Sequence, residues 1–72
     1  MVELERLKLR LDAAKIHVDF LLREEMDAAD RFAKDPAAFD DWQDAITAVT
    51  RARLEFKAAQ TAWLEAKRAS LA

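Results

Sequence analysis

The chain has 72 residues, 12 of them Lys or Arg and 14 Asp or Glu, for a formal net charge of -2. Hydrophobic residues make up 53% and charged residues 36%, with no Gly, no Cys and one Pro. That length allows one small domain, residues 1–72, and the absence of Cys excludes disulfides and thiolate metal sites. No run approaches the roughly 20 apolar residues of a membrane span. The charged N-terminus (Glu3, Glu5, Arg6) lacks the apolar core of a secretory signal, so the expectation is a cytoplasmic protein.

The first predicted element is a helix over about residues 2–33. Leu4, Leu7, Leu11, Ala14, Val18, Leu21, Glu25, Ala28 and Phe32 recur at alternating steps of three and four. That is the a/d seam of a coiled coil with a single polar interruption, Glu25. Lys34-Asp35-Pro36 is the only turn signal. Asp is a good N-cap, Pro is favoured one position later, and the residue before Pro is driven out of helical geometry. A second helix is therefore predicted over about 36–70. One heptad position there holds Trp42, Val49, Phe56 and Trp63, and another holds Ala38, Ala45, Ala52, Ala59 and Ala66.

Folding back at Asp35 and Pro36 sets Leu7 against Trp63, Leu11 against Ala59 and Val18 against Ala52. Large residues meet small ones, as close packing requires. The expected fold class is all-α, an antiparallel two-helix hairpin that dimerises into a four-helix bundle.

Helix 1 carries a second stripe, Val2, Leu9, Ala13, Ile16 and Phe20, roughly opposite the seam at 100° per residue. Leu54 on helix 2, and Leu22 and Met26 beside the seam, add apolar area. One partner helix cannot cover two opposite faces, so the stripe is the expected homodimer interface. Charge is polarised as well. Residues 24–44 hold eight carboxylates against Arg31 and Lys34, and the rest of the chain holds ten cations against six carboxylates. The hairpin tip is acidic and the open end basic. Phe39, Asp40, Asp41, Trp42 and Asp44 at the tip are the candidate partner-binding residues, because an aromatic cluster rimmed by acids suits a basic groove.

No catalytic, cofactor-binding or metal-binding residues are assigned, and no enzyme activity or cofactor is expected. His17 is the only histidine and lies off both stripes. The adjacent acid pairs Glu24-Glu25 and Asp40-Asp41 diverge on a helix rather than converge as ligands or an acid/base dyad. Helical chorismate mutases need cations inside the bundle, whereas the seam here is apolar apart from Glu25.

In its size, its lack of Gly and Cys, and its hairpin closed by a single turn, the chain resembles small phage-encoded host-takeover proteins. The type is the quorum-sensing anti-activator that binds a LuxR-type regulator and the type IV pilus assembly ATPase. The resemblance implies a viral protein acting in the host cytoplasm as an inhibitor of a host regulatory protein, by protein–protein contact and without a membrane. Two other readings of the sequence are a regulator that binds RNA as the Rop protein does, and a purely structural assembly subunit. The first would need cations on one face, and here they are spread around both helices among acids.

Overall fold

The structure is a computed structural model and describes residues 2–71. Helix α1 spans Val2–Lys34, a single 3-10 turn spans Pro36–Ala38, and helix α2 spans Phe39–Leu71. No strand occurs among the described residues. Helix 2 thus starts its α-helical part three residues later than expected, because the first turn after the proline closes as a tighter i→i+3 turn. The Ala38 amide donates to the Asp35 carbonyl at 3.0 Å.

Asp35 makes the corner. Its backbone is extended (φ -144, ψ 109), as the following Pro36 requires, and its carboxylate accepts from the Ala37 amide at 3.0 Å. Its own amide closes α1 by donating to the Arg31 carbonyl at 2.8 Å. The helix dipoles are complemented at each end: Glu3 and Glu5 open α1, Arg31 and Lys34 close it, and Asp40 and Asp41 open α2.

The buried residues are Leu11, Val18 and Ala28 on α1 with Val49, Ala52 and Ala59 on α2, all of them seam positions. Ala52 and Ala59 are 3% and 1% exposed, while Ala38, Ala45 and Ala66 are half-buried. The alanine ladder therefore faces α1 along its length and leaves room for the larger side chains of α1. Glu25, the polar interruption of the seam, is half-buried.

The hairpin is a rod of 55 × 13 × 11 Å with a radius of gyration of 16.4 Å, against about 11 Å for a globule of this length. Its accessible surface is 5650 Å², about a quarter more than the roughly 4,500 Å² typical of a folded monomer of its mass. Two helices lying side by side have one shared seam and three open sides, and the excess area is the consequence. No helix among the described residues is long and apolar enough to cross a membrane.

Candidate interaction surfaces

Three surfaces stand out. The first is the outer stripe of α1. Val2, Leu9, Ile16 and Phe20 are 57–71% exposed, and Ala13 between them is exposed too. α2 borders this face at two places, where Leu9 shares a cleft with Trp63 and Lys67 and Phe20 shares a groove with Asp41, Asp44 and Ala45. The result is a narrow apolar ridge along the N-terminal two-thirds of one helix. Leu54 occupies the matching outward position on α2 and is likewise exposed.

The second surface is the tip, where the chain reverses. Phe32 stacks on Trp42 with ring centroids 5.2 Å apart and 11° between planes, and Phe39 tilts against both, at 5.3 Å and 6.0 Å. Such pairs add about 0.5–1.5 kcal/mol beyond their area burial. This cluster locks the end of the hairpin where Asp35 turns it. Trp42 is half-buried, in keeping with its seam position, and its Nε1 is buried with no hydrogen-bond partner. Phe39 is the most exposed ring of the three. Asp40, Asp41 and Asp44 are all exposed. Of the five tip residues singled out on sequence, Trp42 is half-buried, whereas Phe39 and the three carboxylates are exposed. Asp41 and Asp44 border a shallow groove with Glu24, Arg31, Phe20 and Leu21.

The third surface was not singled out in the sequence. At the open end, Leu4, Glu5, Lys8, Leu9, Trp63 and Lys67 line a cleft of about 540 Å³. The Lys67 ammonium lies 4.8 Å from the centre of the Trp63 ring and the Lys8 ammonium 5.6 Å. Cations over an indole gain from its quadrupole, and here they rim an apolar floor together with the Glu5 carboxylate. Lys8 pairs with Asp12 at 3.0 Å, an exposed contact contributing at most a few tenths of a kcal/mol. Two signals pointed here: Lys8 and Lys67 both sit beside the a/d seam, and each lies within a turn of a large apolar residue.

His17 is exposed. Among the described residues no three His, Asp or Glu side chains gather as a metal-binding group. Leu22, expected to add exposed area, is half-buried against the hairpin, whereas Met26 is exposed. No family model, curated protein or solved structure matches the chain.

Proposed function

We propose that this chain is a non-enzymatic, homodimeric protein-interaction module that inhibits a regulatory protein by covering part of its surface. The observation that carries this reading is the two apolar surfaces left open by one hairpin, the outer ridge of α1 and the cleft near Trp63, which meet at Leu9. Soluble chains seldom leave large aligned apolar side chains in water without a partner to cover them. A two-fold dimer covers one of these surfaces and leaves the other for a different chain.

The surface area supports the same reading. A stable interface removes about 800 Å² per partner, and the hairpin carries an excess of comparable size. The exposed carboxylates of Asp40, Asp41 and Asp44 supply attraction toward a basic target, which accelerates encounter more than it adds affinity. Inhibition by masking needs no chemistry at the surface, only desolvated contact that competes with the target's own partner.

The test has two parts. Sedimentation at micromolar concentration is expected to give a mass near twice 8.2 kDa. Titration into a purified LuxR-type regulator bound to its DNA is expected to displace the DNA. A helical, cooperatively folded monomer would contradict the dimer. Failure to bind the regulator would remove the quorum-sensing form of the reading and leave the dimer standing.

A further inference from the structure

The outer ridge of α1 carries charges on both flanks, and their order along the helix fits a second copy of the same helix run in the opposite direction. Glu5 and Arg23 are 18 residues apart, which is five full turns, so they stand on the same flank of the ridge. Arg6 and Glu24 have the same spacing and stand together on the other flank. Each flank therefore has one charge near the start of the ridge and its opposite near the end. All four side chains are exposed, and among the described residues none of them forms an ion pair within the chain. On the ridge itself, Ile16 and Phe20 form with Asp19 and Arg23 a groove of about 330 Å³ made by α1 alone.

We infer that two copies of this chain pair along their α1 ridges, antiparallel and two-fold related, with Leu9 against Phe20 and Ala13 against Ile16 of the second copy. Ion pairs of Glu5 with Arg23 and of Arg6 with Glu24 close the two flanks. This arrangement rests on the homodimer proposed above and assigns its face and register. Facing residue numbers sum to 29, so residues 2–27 of each α1 overlap along about 39 Å. Leu9 of the second copy then falls on the groove beside Ile16 and Phe20. The charged pairs sum to 28 and 30, an offset of about 1.5 Å along the axis, well within side-chain reach. A two-fold axis perpendicular to the plane of the paired helices keeps each flank on its own side, so both ion pairs form twice. Farther round the flanks Asp12 nears Asp19 and Arg10 nears His17; all four are exposed, and Lys8 already holds Asp12. Asp27 meets Val2 beside the first turn of α1 of the second copy, where the helix dipole favours a carboxylate. A shift by one heptad sets Ile16 against Arg6 in one direction and Leu9 against Asp27 in the other. A parallel pair would lay Asp27, on the line of the ridge, against Asp27 of the second copy and bring the two acidic tips together. The α2 helices lie outside the α1 pair. Glu5 and Leu9 are also one wall of the Trp63 cleft, so the second copy closes that edge and leaves the side of Leu4, Trp63 and Lys67 open to another chain.

The chain has no cysteine, so introduced thiols report the register directly. Leu9→Cys and Phe20→Cys chains are mixed at a concentration where sedimentation shows dimer, and mildly oxidised. A covalent heterodimer is expected, since a disulfide requires Cα atoms within about 7 Å. Neither variant alone is expected to crosslink, because two Leu9 or two Phe20 positions lie about 16 Å apart along the axis. Sedimentation then compares charge variants. Glu5→Lys is expected to weaken dimerisation about tenfold, and Glu5→Lys/Arg23→Glu to return it to within about threefold of the parent. In a parallel pair, where Arg23 faces Glu24, the same exchange would add repulsion. Ile16→Asp/Phe20→Asp is expected to weaken the dimer at least about 100-fold, because burying unpaired carboxylates is unfavourable, and Leu54→Asp on α2 to leave it within about threefold. Crosslinks between like positions only, no mixed disulfide in chains that dimerise, no recovery on charge exchange, or an Ile16/Phe20 variant that dimerises like the parent would each overturn the arrangement and keep the homodimer. A monomeric parent chain would overturn both. Should the Ile16/Phe20 variant lose its helicity by circular dichroism, the crosslink decides.

Discussion

Replacing Ala59 by Leu tests the packing of the seam most directly. Ala59 is 1% exposed and Ala52 3%, so neither has free space for three more carbon atoms. The added side chain must push the helices apart or leave its preferred rotamer, which costs roughly 1–3 kcal/mol in a well-packed core. Intrinsic helix propensity favours Ala over Leu only slightly, so overpacking dominates the change. For a chain this short, each kcal/mol moves the midpoint by about 4–8 °C, so Ala59→Leu and Ala52→Leu are expected to melt roughly 5–20 °C below the parent. Ala58→Leu is the control. Ala58 is exposed beside Leu54 and Thr61, and the same change there is expected to stay within about 0.5 kcal/mol. Thermal and urea melts followed by circular dichroism must be run at one protein concentration, because subunit binding adds to apparent stability by mass action. Equal midpoints for the three variants would refute the close approach of the helices along the alanine ladder.

Three further changes probe the corner and the tip. Trp42→Phe removes the buried, unpartnered Nε1–H at the cost of a smaller ring, and the two effects are expected to offset within about 1 kcal/mol. Trp42→Ala also breaks the stack on Phe32 and is expected to lose about 3–5 kcal/mol, so similar urea midpoints for the two variants would contradict a seam role for this ring. Asp35→Ala removes the side-chain cap on the Ala37 amide, with an expected loss of about 1 kcal/mol in the same melts. Charge reversal of Asp40, Asp41 and Asp44 to Lys is expected to slow association with the target and reduce its dependence on salt, read by stopped-flow at two ionic strengths. Unchanged rates would place the steering charge elsewhere.

Much of the hairpin is legible in the sequence because heptad spacing is a local property. Leu11, Val18, Ala52 and Ala59 can be named as core from their intervals alone, and Asp35-Pro36 marks the corner because proline restricts the residue before it as well as itself. The exposed ridge of Val2, Leu9, Ile16 and Phe20 follows from the same arithmetic, since one helix cannot bury two opposite sides. Local pattern did not show that Pro36–Ala38 closes as a 3-10 turn before α2 begins. Nor did it divide the tip residues between structure and surface. Phe32, Phe39 and Trp42 are up to ten residues apart and become one cluster only when the chain reverses. The Trp63 cleft has the same origin. Lys8 and Lys67 lie 59 positions apart and flank one ring only because antiparallel packing brings the first turns of α1 beside the last turns of α2. Periodicity assigns each residue to a side of its own helix; which sides of the two helices combine into one surface is set by how the helices pack.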